Sequence, residues 1–538
     1  MKRGAGNALT FFGQKNIMKR RKNIAARGRK SLANETKLTS QALYQWLFEA
    51  CNIMRGPINQ DEYKSYITPL LFYKRISDNW DEEYDAALAE SGGDKEYASF
   101  PEMHLLAIPD GCHWSDVRNA TKDVGDRLTK AMLAIEQANQ ATLGGVFTSF
   151  DDASWADKNR FTDARLKDLI EHMSEHRLRN SDYPADIMGD AYEYLLKKFA
   201  DLQKKNAGEF FTPRSIVKLM VWLLDPRPGD SIYDPACGTG GMLIESLRYM
   251  GGEKRQSFGK VYGQEKNLST SAIARMNVYL HGEGVGADVT ITQGDTLRSP
   301  NYTENGKLKT FNEVLANPPF SLKKWGADAF ESDKYGRNLW GCPTDTNADF
   351  AWLQHMVASM DPQRGKVAVV LPQGVLFRGG REQKMRKKLI ESDLLECVIS
   401  LVGGLFYNAG VSACILYLNN AKQPEHRGKV CMIDATSIYT PERAQNTMTE
   451  QDIQTVFDLY THYEDVIERC KIVTIDDIHA AGDTLAVNSY VERKPVPVKD
   501  PALVRAEYEK ALEDVRMAED RMRELLTEGG YLIGENRD

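Results

Sequence analysis

From about residue 229 onward the apolar residues fall into short runs separated by amphipathic stretches, and this alternation restricts the possible folds more than any other feature. The runs are DSIYD (230–234), KVYGQE (260–265), VTITQ (289–293), NEVLAN (312–317), KVAVVLP (366–372), LECVISL (395–401) and SACILYL (412–418). Stretches with helical spacing at 242–250, 270–280, 350–360 and 383–391 separate most of them. Strands buried on both faces read as continuous apolar runs, and parallel neighbours need crossovers of this length. The pattern specifies an α/β, Rossmann-like fold with a parallel sheet covered on both faces.

Upstream the period is helical. Ser40 is placed to cap a helix whose apolar residues Leu43, Trp46, Leu47, Ala50, Cys51 and Met54 recur at three- and four-residue spacing. A second helix is predicted over 66–76, interrupted near Pro69, with further helical segments at 170–173 and 188–199. The resulting division is a basic disordered tail (1–34), an all-helical N-terminal domain (35–201) and a catalytic domain (202–425). An extension of that domain (426–492) and a linker with a long helix (493–538) complete it. Within the extension, 451–469 is predicted helical, with Ile453, Val456, Phe457 and Tyr460 on one face. The Pro-punctuated RKPVPVKDP (493–501) precedes a charged helix from 502 to 527. Its residues Tyr508, Leu512, Val515, Met522, Leu525 and Leu526 approximate a heptad stripe broken at Glu519. Such a helix either packs on its own domain or leaves the body to join a partner's helices.

A chain of 538 residues exceeds one core. No apolar run approaches a membrane span, and the basic first thirty residues lack the apolar core of a secretory signal. Eight scattered cysteines without a CxxC pair predict reduced thiols in a cytoplasm and no metal site. The net charge is −7, but residues 1–30 hold ten Lys and Arg and no acid, which leaves the remainder at −17. A body that acidic grips DNA poorly alone, so a DNA substrate implies a partner. The tail itself is either a DNA-touching arm or an extension without function.

Chemistry concentrates between residues 208 and 320. In DPACGTGG (234–241), Asp234 ends a strand, Gly238, Thr239, Gly240 and Gly241 form a turn, and a helix follows. Glycines admit a ligand close to the backbone, and a helix N-terminus favours negative charge. Glu265 lies 25 residues past Gly240 at the next strand end, where a carboxylate accepts the hydrogens of a ribose diol. Asp295, after the third strand, is placed to accept from an exocyclic amine. Three acids at successive strand ends suit adenosine without a phosphate tail, and no GxxxxGK[ST] loop is present. The cofactor expected is a sulfonium nucleoside.

NPPF (317–320) is the most specific signal. Two prolines stiffen the chain and remove two backbone donors. The Asn317 side-chain oxygen and the Pro318 carbonyl are then free to take the two N–H bonds of a planar amino group, with Pro319 holding the corner and Phe320 offering a stacking face. The gain lies in orientation and fixed dipoles. An adenine inside a duplex must flip out to reach such a corner.

These motifs resemble the amino-group DNA methyltransferases that use S-adenosylmethionine. With GEFFTP (208–213) ahead of DPACGTG and NPPF later, the order is that of the gamma arrangement of N6-adenine enzymes. More narrowly, the chain is similar to the modification subunit of type I restriction–modification systems over about residues 38–490. LLFYKRISD (70–78), NADF with the following HMVASM helix (347–360), GKVAVVLP (365–372) and LFYNAGVSACILYL (405–418) carry that similarity. The resemblance implies that Glu209, Phe210, Phe211, Thr212 and Pro213 line the methionine side of the cofactor, near Asp234 and Gly238. It implies Glu265 on the ribose, Asp295 on the adenine amine, and Phe406, with Tyr407 close behind, as a second aromatic beside the flipped base. It further implies duplex DNA as substrate, a specificity subunit flanked by two modification subunits, a separate restriction subunit, and a docking role for 502–527. Lys323 and Lys324 are placed to touch phosphate, and 321–349 reads as a loop that orders over DNA. A methyltransferase acting on a protein glutamine amide, another planar –NH2, is the alternative; a scaffold without activity is disfavoured by the intact Asn317 and glycine turn.

Overall fold

The computed structural model describes residues 39–150, 154–183, 212–251, 259–281, 288–406, 412–441, 446–492 and 500–531, with scattered positions between 187 and 198. The basic tail, Glu209, Phe210, Phe211, Tyr407 and most of the 493–501 linker lie outside the described residues.

Four helices dominate the N-terminal segment: α1 (Ser40–Met54), α2 (Tyr63–Glu90), α3 (Val124–Ala138) and α4 (Asp163–Met173). The cap of α1 is Thr39 rather than Ser40, its hydroxyl accepting from the Ala42 N–H at 3.3 Å. The predicted stripe from Leu43 to Met54 is buried. Helix α2 runs unbroken through Pro69, contrary to the interruption expected there. Its middle, from Tyr66 to Asn79, is buried all round, so tertiary packing outweighs one missing hydrogen bond. The charges of LLFYKRISD are buried and paired. Arg75 donates to the Leu178 and Tyr183 carbonyls and to Asn180 Oδ1, and Asp78 accepts from Lys74 and from the Leu178 N–H.

The sheet follows: β1 (Ser231–Asp234), β2 (Lys260–Glu265), β3 (Asp288–Gln293), a two-residue hairpin β4 (Thr303–Glu304) and β5 (Lys307–Leu308), then β6 (Glu313–Ala316), β7 (Lys366–Pro372), β8 (Leu395–Leu401), β9 (Ala413–Asn419), β10 (Lys429–Ala435) and β11 (Cys470–Thr474). Apart from the hairpin, these form one sheet in the order β11-β10-β8-β9-β7-β6-β1-β2-β3. It is parallel except for β9, which runs antiparallel between β7 and β8, and β11, antiparallel at the edge. Strands β10 and β11 carry the sheet past Leu418, where the sequence assigned none.

Helices α5 (Arg214–Leu224), α6 (Gly241–Gly251), α7 (Leu268–Leu280), α8 (Ala327–Glu331), α9 (Asp349–Ala358), α10 (Arg381–Glu391) and α11 (Glu450–His462) surround it. Period-two alternation sends Ala368 and Val370 of β7 into the core under α5 and α6, and Val367, Val369 and Leu371 into the core under α9 and α10. The inner face of α7 completes the core of the helical segment with Ala272, Ile273 and Met276. Helix α11 stops at His462, short of the predicted 469, because Tyr463 turns into the left-handed region at φ 52°.

The segment 321–348 is not an open loop. It carries α8 and a small core of Trp325, Phe330, Ala348 and Trp352. Arg337, 2% exposed, pairs with Asp333 at 2.6 Å and donates to the Thr296 carbonyl at 3.0 Å. These apolar and ionic contacts fold the segment down, where its composition suggested an open loop.

Residues 492–538 form a second unit, whose described part is α12 (Pro501–Glu528). Asp500 caps it and Pro501 occupies its first turn, where the missing N–H costs nothing. None of its residues is buried.

Candidate functional site

Strand order reverses at β1: β2 and β3 step away on one side, and β6 lies on the other. In open parallel sheets such a switch point leaves a crevice beyond the carboxyl ends of the strands, where ligands bind. Asp234 ends β1, Glu265 ends β2, Asp295 follows β3, and Asn317 follows β6 directly. The four residues singled out from sequence therefore share one edge.

The turn after β1 is built for close approach. Gly238 and Gly240 have φ of +53° and +82°, which side chains resist, and a Cβ at Gly238 or Gly241 would meet nothing within 4 Å. Helix α6 starts at Gly241, so its N-terminal N–H groups face this space. Three supports, none visible in the motif, hold the turn. The Cys237 N–H donates to the Gln264 carbonyl, buried Asn277 of α7 donates to the Thr239 carbonyl at 2.9 Å, and Thr296 donates to the Pro235 carbonyl at 2.6 Å.

Glu265 braces the turn with one oxygen, accepting from the Gly238 N–H at 3.1 Å, and takes the Asn267 N–H on the other at 2.8 Å. Asp234 is buried and accepts from the Ala236 N–H. Burial raises its pKa to about 8, the Ala236 N–H pulls the other way, and the Glu265 carboxylate adds to the rise. Asp295 meets the exposed Lys266 amine at 2.8 Å and the Arg298 N–H at 3.2 Å, so an adenine amine would compete with Lys266 for its outer oxygen.

At the β6 end, Pro318 is buried and Asn317 half-buried. The Asn317 Nδ2 donates to Thr212 Oγ1 at 2.8 Å, while its Oδ1 is buried with no hydrogen-bond partner among the described residues. Buried acceptors are seldom left empty, and those that are ask for a ligand or a function. Just past the corner Ser321 adopts φ 50° and donates to Asp349 Oδ1 at 2.8 Å; Asp349 is fully buried and paired with Arg378 at 2.9 Å. Through that pair the aspartate of NADF anchors the exit of NPPF. Phe320 and Phe406 meet edge to face, with ring centroids 6.2 Å apart at 64°. Pro213 precedes α5 beside Thr212. A separate concavity of about 460 Å³ between Arg118, Glu171 and His172 of the helical segment holds none of the motif residues.

A buried acceptor without a partner among the described residues, two aromatics set edge to face and a carboxylate-lined turn thus lie at one switch point. A family model described as N-6 DNA Methylase matches residues 184–497, more than half of the chain. This chain belongs to the N-6 DNA methylase family. A second model, the HsdM N-terminal domain, matches residues 43–173. The Type I restriction enzyme MjaVII methylase subunit of Methanocaldococcus jannaschii is 35% identical over 382 residues, covering 69% of this chain and 63% of that relative. The MjaVIII methylase subunit of the same organism is 30% identical over 485 residues, 85% of this chain and 78% of the relative. A crystal structure of the type I restriction-modification system methyltransferase subunit from Streptococcus thermophilus superposes with a TM-score of 0.73 at 27% identity, covering 85% of this chain and all of that one. This member of the N-6 DNA methylase family is accordingly a type I modification subunit and an adenine-specific DNA methyltransferase. Its relatives do not favour the protein-glutamine alternative. Among the described residues no helix is long and apolar enough to cross a membrane.

Proposed function

We propose that the crevice takes S-adenosylmethionine beside an adenine extruded from duplex DNA, and that Asn317, Pro318, Pro319 and Phe320 form the base site. The observation that carries this reading is the empty, buried Oδ1 of Asn317 at the β1/β6 switch point. With the Pro318 carbonyl, it accepts the two N–H bonds of the adenine amine and turns the nitrogen lone pair towards the cofactor. Phe320 and Phe406 stack on or edge the base.

The residues fit the cofactor. Gly238 and Gly241 leave open space above the turn, while Gly240 packs against Ala274 of α7. Glu265 and Asp295, joined by Asp234 once binding has displaced its proton, supply the negative surroundings a sulfonium prefers. In this reading Glu265 holds the ribose and Asp295 the adenine of the cofactor, while residues 209–213 close its methionine side. When bound, S-adenosylmethionine supplies an electrophilic methyl. The chain supplies orientation, a fixed acceptor pair and exclusion of water.

The reading extends to partners. The relatives are named as subunits of type I restriction enzymes. We assign DNA reading to a separate specificity subunit carried by two copies of this chain, and cleavage to a restriction subunit. An acidic body of −17 outside the first thirty residues supports that division. Lys323 and Lys324, both exposed just beyond NPPF, are placed to meet phosphate. Label transfer from methyl-labelled cofactor to duplex DNA, with the specificity subunit present, is expected to mark adenine N6. Asn317→Ala is expected to keep cofactor affinity within about threefold and lower transfer about 10²- to 10³-fold. Unchanged transfer by that variant refutes the role given to Asn317.

A further inference from the structure

The 208–213 segment and the NPPF corner are about a hundred residues apart in sequence, and only the first was expected to serve the cofactor. Among the described residues they are joined by the bond from Asn317 Nδ2 to Thr212 Oγ1 at 2.8 Å. An asparagine side chain is close to symmetric in shape, and its two ends differ only in hydrogen bonding. Rotating the amide by half a turn would present Nδ2 to the substrate, donor against donor. Something must therefore choose the orientation. Among the described residues Asn317 Oδ1 has no hydrogen-bond partner to do so, and Thr212 is the partner that Nδ2 has.

We infer that Thr212 is the positioning residue of the base site: its hydroxyl oxygen receives the Asn317 N–H and so keeps Oδ1 turned to the incoming amine. This rests on the base-site reading above. The hydroxyl accepts from Asn317 with one lone pair and retains its own hydrogen for another acceptor. Thr212 therefore acts on the target amine through Asn317, and its place on the methionine side of the cofactor does not depend on the hydroxyl. It is followed by Pro213 and by α5, whose seven buried residues anchor the segment, so the hydroxyl is carried on a fixed element.

The test uses the assembled methyltransferase complex in single turnover at saturating cofactor and DNA. Thr212→Val keeps the shape and removes the acceptor; Thr212→Ser keeps the acceptor. Thr212→Val is expected to slow transfer about tenfold to a hundredfold, with the cofactor dissociation constant within about threefold of wild type. Thr212→Ser is expected to restore most of the rate. In the Asn317→Ala background, adding Thr212→Val is expected to change nothing further, because no amide remains to orient. A Thr212→Val variant that weakens cofactor binding but transfers normally once saturated overturns the proposal and makes Thr212 a cofactor residue. So do equal losses in Val and Ser, or multiplicative losses in the double variant. If Asn317→Ala alone leaves transfer intact, the base-site reading fails first, and the two failures are thereby separated.

Discussion

Asp234 is fully enclosed at the end of β1, beside a second carboxylate, and holds its proton up to a pH of about 8. A cationic cofactor favours the ionised form, so binding below that pH must expel the proton. Cofactor affinity is expected to rise as pH goes from about 6 to 8 and to level off above. Asp234→Asn should flatten this profile in calorimetric titrations; an unaltered slope would place the titrating group elsewhere. The sign is opposite for the stability of the free chain. A carboxyl with a raised folded pKa binds more protons folded than unfolded, so its contribution is present at low pH and declines as pH rises from about 4 towards 8. At this scale the sequence showed the residues that contiguous motifs bring to one edge of the sheet: the glycine turn, Glu265 and NPPF. Thr212 on Asn317, Asn277 and Thr296 on the turn, and Asp349 behind Ser321 stayed hidden, since each acts through a contact that only the tertiary fold creates.

Elements were legible where one local pattern governed them. Strands β1, β2 and β6 to β9 and helices α6, α7, α9 and α10 lie within a few residues of the predicted spans, because fully buried strands and two-faced helices leave a strong imprint. Among the elements that departed, besides β10 and the early end of α11, three have identifiable reasons. Pro69 is carried inside α2 because that stretch of the helix is enclosed on every side. Strand β11 is short and half-polar, which masks it beside the apolar runs. Segment 321–348 reads as a loop from its Gly, Asp and Asn content, yet Trp325, Phe330 and the Arg337–Asp333 pair fold it down. Arg337→Met leaves Asp333 buried and unpaired, and is expected to cost about 3 kcal/mol in denaturant unfolding. Arg337→Met combined with Asp333→Leu should recover much of that loss. A single variant as stable as wild type would show the pair to be dispensable.

At the scale of the whole molecule, charge and exposure point outward. Taken by itself, helix α12 presents Leu503, Tyr508, Val515, Met522 and Leu525 as an apolar stripe, which costs stability unless another surface covers it. Truncation after Val491 is expected to leave the unfolding midpoint of the remaining chain unchanged and to abolish stable association with the specificity subunit, as read by scanning calorimetry and analytical ultracentrifugation. A large drop in the midpoint would instead make α12 part of the body. The α/β class and the helical segment preceding it were plain from the change of period at about residue 229. The reversal of strand order at β1 was not, since sequence order does not record which strands are neighbours. That reversal brings Asn317 to the same edge as Asp234 and Glu265. The most direct measurement is a structure of the assembled complex with duplex DNA and a non-reactive analogue of the cofactor. The extruded adenine N6 is expected about 3 Å from both Asn317 Oδ1 and the Pro318 carbonyl, with the analogue's sulfur in line behind it. An adenine seated elsewhere, with Asn317 Oδ1 still unpaired, would contradict the base site drawn above.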